Sequence, residues 1–161
     1  MTKKKEEQDL RYKMYMMRIY LSGPMAGLTK EEATSWRNEF KKELSDKIEE
    51  NGDADLVEYL DPCDRWYESY EDISRDSKTI VSIDKFEYRS ADVVVVNCLE
   101  KGWGTPMEMF DAYENYNKIV LSYVGDQEFP SIWVKEHSTQ MFKTMEGIVD
   151  WLIQYGHKFN D

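Results

Sequence analysis

Glu108 and Asp84 are polar side chains of this 161-residue chain whose settings bear on chemistry. Glu108 stands three residues after Thr105, the spacing at which a glutamate closes a capping box at a helix start. That purely structural use competes with any chemical one. Asp84 lies four residues after Ile80 and next to Ile83, on the stripe of a helix that should face a sheet. A carboxylate on an apolar face is costly unless paired, so Asp84 is either a helix-edge group in water or a group retained for chemistry. Tyr20 falls in a strand, where a tyrosine is ordinary core material. Two glycine-bearing loops, Ser22–Gly27 and Leu99–Gly104, allow backbone N–H groups to approach a ligand closely, and a helix N-terminus after the second favours an anion. Gly23 and Gly27 are too sparse for a Walker loop or a GxGxxG fingerprint.

The elements that must position these residues read as an alternation. Met17–Ser22 is a strand. A helix follows, opened by the capping-box pair Thr29 and Glu32, with Trp36, Phe40, Leu44 and Ile48 as its apolar stripe. Leu56–Leu60 is a second strand, stopped by Asp61-Pro62. Cys63 to Asp76 reads as a loop or short helix, and Ser77 to Ser90 as a helix. The run of four valines in Asp92–Asn97 lacks polar alternation, as expected of a strand buried on both faces of a parallel sheet. Thr105 to Asn117 reads as a helix, with Thr105 as N-cap and Pro106 at the first helical position. Lys118–Val124 is a fourth strand, Trp133 to Ser138 a helical turn, and Gln140–Phe142 a short last strand. Met145, Ile148, Val149 and Leu152 mark a closing helix. Strands alternating with helices imply an α/β sandwich with a parallel sheet of about five strands. In such sheets ligands bind beyond the carboxyl ends of the strands, which singles out the two glycine loops and the segment from Asp61.

Composition narrows the partners. The formal net charge of -11 argues against duplex nucleic acid and against an anionic membrane surface, both of which need a cationic face. No stretch approaches the roughly 18–20 apolar residues of a membrane span. Cys63 and Cys98 are far apart, and His137 and His157 form no ligand cluster, so no metal site is expected and a reduced, cytoplasmic setting fits best. Residues 1–16 read as a flexible extension and residues 17–161 as one domain.

Taken together, three segments resemble the nucleoside 2-deoxyribosyltransferase family and the related deoxynucleoside 5′-monophosphate N-glycosidases. Ile19-Tyr20-Leu21-Ser22-Gly23-Pro24 resembles the family's first strand and loop. Asp84, eight residues before Asp92, matches its acid–strand spacing. Gly104-Thr105-Pro106-Met107-Glu108, with Ala112 and Lys118-Ile119-Val120 beyond, resembles its GTxxE…A…GKxV pattern. The resemblance implies a flavodoxin-like, Rossmann-like fold, a role in nucleotide salvage, no cofactor, and homodimers or larger homo-oligomers. It implies that Glu108 is the nucleophile, that Asp84 acts at the departing base, and that Tyr20 orients Glu108. The residue types suit that chemistry: a carboxylate attacks the anomeric carbon through an oxocarbenium-like transition state, and a partly buried acid serves the leaving base.

The same resemblance places substrate contacts at Ser22, Gly23, Pro24 and Met25 in the first loop and at Gly102, Trp103 and Gly104 before the nucleophile. Trp66, in the aromatic segment, and Trp103 are expected to wall the base pocket, since aromatic faces stack on bases. Gly102 departs from the family, which has Asp there in transferases or Ser in monophosphate hydrolases; the 5′ contact then falls to Ser22, to loop backbone, or to Ser131 of a neighbouring subunit. No Lys or Arg lies between Ser22 and Leu28, and the second loop offers only Lys101 beside Glu100. A 5′-phosphate demands compensating charge, so the expected reaction is transfer of deoxyribose between free bases, on nucleosides with a free 5′-hydroxyl. The alternatives are hydrolysis of deoxynucleoside monophosphates and a non-catalytic module that binds a nucleotide derivative.

Overall fold

The computed structural model of the chain describes residues 17–51 and 57–156. The extension expected over residues 1–16, Leu56 of the second strand, and His157 lie outside them. In chain order the elements are β1 (Met17–Ser22), α1 (Lys30–Glu50), β2 (Val57–Leu60), a 3-10 turn (Pro62–Arg65), α2 (Tyr70–Arg75) and α3 (Ser77–Ser90). Then come β3 (Val93–Asn97), α4 (Gly104–Phe110) continuing into a π turn (Asp111–Asn115), β4 (Ile119–Tyr123), α5 (Ile132–Glu136), β5 (Gln140–Phe142) and α6 (Met145–Tyr155). All strand pairings are parallel, in the order β2-β1-β3-β4-β5. This is the doubly wound, flavodoxin-like arrangement.

The valine strand explains the layering. Successive strand side chains alternate in direction, so Val93 and Val95 join Ile19, Leu21 and Leu121 on one face, packed under Phe40 and Leu44 of α1 and Ile148, Val149 and Leu152 of α6. Val94 and Val96 join Tyr20 and Val120 on the other face, packed under Tyr88 of α3 and Met109 of α4. All four valines are fully buried. Asp92 locks β3 to β1: the Arg18 backbone N–H donates to its Oδ2 at 2.7 Å, and the Asp92 N–H donates to the Arg18 carbonyl at 2.8 Å.

The strand order reverses between β1 and β3, leaving a crevice at their carboxyl ends. There the two glycine loops meet. A Cβ on Gly102 would lie 3.2 Å from Pro24 Cβ, so the absence of a side chain lets the β3 loop close on the β1 loop. Gly23 is more tightly constrained: a Cβ there would stand 2.7 Å from the Trp36 ring of α1.

Two local expectations are corrected. Thr105 is not an N-cap. Helix α4 starts at Gly104 with Trp103 in the cap position and no side-chain cap bond, and Thr105 is buried within the first turn. The glycines and Trp103 let the chain enter the helix two residues early, so Glu108 closes no capping box. The helix expected to reach Asn117 runs as α only to Phe110; a π turn follows, and Asn117 leaves it with φ 50°, a left-handed conformation that asparagine tolerates.

Candidate active site

Tyr20 and Ser22, two apart on β1, project from the same face toward α4. Both bond Glu108. The Tyr20 hydroxyl donates to Oε1 at 3.1 Å, and the Ser22 hydroxyl donates to Oε2 at 2.5 Å. Each carboxylate oxygen is therefore held by a separate donor, which fixes the plane of the group. Burial pushes the Glu108 carboxyl up to about 7, and the nearby Asp84 charge adds to that rise, while the Ser22 and Tyr20 hydrogen bonds pull it down. Glu108 is thus a glutamate poised near neutrality, a property frequent at functional sites. Tyr20 is itself raised well above the usual tyrosine range, by burial first and then by the charges of Glu108 and Asp84.

Asp84 lies near this pair. Its side chain is 16% exposed, and its charge acts on both Tyr20 and Glu108. Burial raises its carboxyl, and Arg65 offsets part of that rise. Arg65 comes from the 3-10 turn after β2. Its Nη2 donates to Asp84 Oδ1 at 2.7 Å and to Glu87 Oε2 at 3.0 Å, and its Nη1 donates to Glu87 Oε1 at 2.5 Å. Behind this layer the Tyr20 ring meets the edge of Tyr88, whose hydroxyl donates to Asp111.

Sequence reasoning missed Arg65 and Glu87. The available signal was spacing: Glu87 is three residues after Asp84 on one helix face, and Arg65 is the first cation in a segment already placed at the sheet's carboxyl edge. It also missed the support for that segment. Asp61 ends β2, accepts from the Cys63 N–H at 2.9 Å, and takes the Lys41 ammonium at 2.5 Å. Arg37, fully buried on α1, brings its Nε to 3.2 Å from Asp61 Oδ1, off the hydrogen-bonding direction, and donates from Nη2 to the Gly23 carbonyl at 3.0 Å. One buried arginine thereby ties the first loop to the start of the turn that delivers Arg65.

The remaining candidate residues are distributed as follows. Pro24 is buried, and Met25 is partly exposed with its carbonyl accepting from Leu28 N–H in the loop turn. Gly102 and Gly104 flank the crevice, with open space around Gly104. Trp66 is partly buried beside Arg65. Trp103 is 91% exposed, and Ser131 is exposed just before α5. Among the described residues no group of His, Cys, Asp or Glu could hold a metal ion, and no helix is long and apolar enough to cross a membrane.

No protein-family profile matches the chain, and no curated protein sequence does. Solved structures do. One is the 2-deoxyribosyltransferase of the psychrotolerant bacterium Bacillus psychrosaccharolyticus, with a TM-score of 0.58 and 14% identity, covering 83% of this chain and 90% of that one. Another is a conserved protein from Enterococcus faecalis V583, with a TM-score of 0.53 and 14% identity, covering 84% of this chain and 87% of that one. The fold is shared with the first of these over nearly its whole length.

Proposed function

We propose that this chain cleaves the base–sugar bond of 2′-deoxynucleosides and transfers the sugar to a second base, with Glu108 as nucleophile. The observation that carries the reading is the Glu108 carboxylate, held through both oxygens by Tyr20 and Ser22 and pushed up to about 7 at the crevice between β1 and β3. Such a group is fixed in position and lightly solvated, which suits attack on an anomeric carbon. The bond from Glu108 to C1′ forms as the C1′–N bond breaks, through an oxocarbenium-like transition state. A 2-deoxy sugar lacks the electron-withdrawing 2′-hydroxyl, so that cation forms readily. Asp84 serves the departing base, and an incoming base or water resolves the glycosyl-enzyme. The fold shared with a 2-deoxyribosyltransferase supports this reading, as do the three sequence segments.

Substrate lies against the backbone of Gly23, Pro24 and Met25 and of Gly102 and Gly104. The reading includes a cytoplasmic setting, in keeping with two free cysteines, and a homo-oligomer. The experiment is incubation with a deoxynucleoside and a different free base, in wild type and in Glu108→Ala. New nucleoside from wild type, none from the variant, and a wild-type adduct of deoxyribose mass on the peptide containing Glu108 are expected. Near-normal turnover by Glu108→Ala would overturn the reading. Free base from the 5′-monophosphate, with no exchange between nucleosides, would replace transfer with hydrolysis.

A further inference from the structure

Arg65 treats its two carboxylates unequally. Glu87 receives a two-bonded fork, Nη1 to Oε1 at 2.5 Å and Nη2 to Oε2 at 3.0 Å, the geometry that matches a guanidinium to one carboxylate. Asp84 receives a single bond, on Oδ1 at 2.7 Å, and no second bond on Oδ2 among the described residues. The cluster holds two carboxylates and one cation, so one negative charge is left over. The groups that face Asp84 are Arg65 from the turn after β2, Glu87 on its own helix, Tyr20 on β1 and Glu108 on α4. Only one of them is a cation, and Glu87 already claims it.

We propose that Arg65 and Glu87 are positioning residues for Asp84: Glu87 occupies the guanidinium, so that Arg65 orients Asp84 through Oδ1 without holding it ionised, and Oδ2 carries the proton that goes to the departing base. The proposal rests on the reading of Glu108 as nucleophile. As Glu108 bonds C1′, the electron pair of the C1′–N bond moves to the base nitrogen system, the base takes the proton from Oδ2, and Asp84 becomes a carboxylate beside Arg65. In the second half the incoming base loses its ring proton to Asp84 as it attacks C1′ and displaces Glu108, which restores both groups. The substrates that need this device are bases that depart poorly without protonation. A base already carrying positive charge does not need it.

The test compares 2′-deoxyguanosine with 7-methyl-2′-deoxyguanosine, whose base is cationic, in wild type, Glu87→Gln and Arg65→Gln across pH. In Glu87→Gln the guanidinium turns wholly to Asp84 and holds it ionised. The rate ratio of methylated to unmodified substrate rises by about tenfold or more at neutral pH, and the basic limb for deoxyguanosine moves to lower pH. In Arg65→Gln two carboxylates face each other, Asp84 keeps its proton longer, and the same limb moves to higher pH. General loosening of the site would not move the two variants in opposite directions. Shifts in the same direction, or an unchanged ratio in Glu87→Gln, overturn the proposal. Carbon-13 titration of the Asp84 carboxyl reads the same two shifts without turnover. A wild type that releases neither base would therefore defeat the proposed function and the proton's destination with it, while the titration would still decide whether Arg65 and Glu87 set the Asp84 proton: opposite shifts support that, and shifts that are absent or parallel overturn it.

Discussion

As the proposed nucleophile, Glu108 must be ionised to attack, yet burial pushes its carboxyl up to about 7. The rate of base release should therefore climb as pH rises through about 7. Ser22→Ala removes the 2.5 Å bond that pulls Glu108 down, so the acidic limb of kcat/KM should move to higher pH; a limb that stays put would show that the hydroxyl is spent on something else. Tyr20→Phe should act in the same direction and more weakly, through its longer 3.1 Å bond. Asp84→Asn should slow cleavage of ordinary nucleosides by about 10²-fold. Stability runs against activity at this residue. The folded state retains the Glu108 proton between about 4.5 and about 7, where the unfolded chain has lost it, so this group's contribution to stability declines as pH rises through that window. Glu108→Gln should accordingly be more stable than wild type at pH 8, by up to about 3 kcal/mol, with the gain fading toward pH 5 in thermal melts.

The first loop and α1 are fitted to each other. Gly23→Ala would drive a Cβ to 2.7 Å from the Trp36 ring, and overpacking of that kind costs about 1–3 kcal/mol. Base release should drop with it, and a second change, Trp36→Leu, should restore both stability and turnover; failure of that rescue in melts and assays would mean that Gly23 serves the ligand directly. The sheet was legible because its signals are local and periodic: the four valines, the Thr29–Glu32 capping box and the closing stripe from Met145 all form as the sequence indicates. The start of α4 was not, because Thr-Pro reads as a cap followed by a first helical residue, while the flanking glycines let the helix begin earlier. Glu108 itself illustrates the limit. Local spacing offered a partner three residues away, but the partners it has are 88 and 86 residues distant, and no periodicity encodes that. The resemblance supplied Tyr20; nothing local supplied the Ser22 bond to Glu108, or the Arg65–Glu87 fork, which depends on how the turn after β2 meets α3.

Across the whole molecule, charge and exposed apolar surface are unevenly matched. Trp103, Met107 and Phe110 of the α4 segment are exposed, as are Ile132 and Trp133 of α5, and Trp133 stacks on His137 with Phe110 against the same ring. A contiguous apolar face of this kind on a chain of net charge -11 fits a self-complementary contact between two copies. Sedimentation should show a dimer or larger assembly, and Trp133→Glu should shift it toward monomer; a wild type that sediments as a monomer at high concentration would remove that expectation. The parallel sheet has one more consequence, for synthesis. β1 lies between β2 and β3 and is buried on both faces, so once it has left the ribosome it cannot be covered on its second edge until residues 93–97 have emerged and the intervening chain has looped back. Parallel pairings of such long separation form slowly, and an uncovered apolar strand invites association with other nascent chains. Translation that pauses between β2 and β3 should therefore lower the yield of folded protein, and Tyr20 and Ser22 wait for Glu108 throughout.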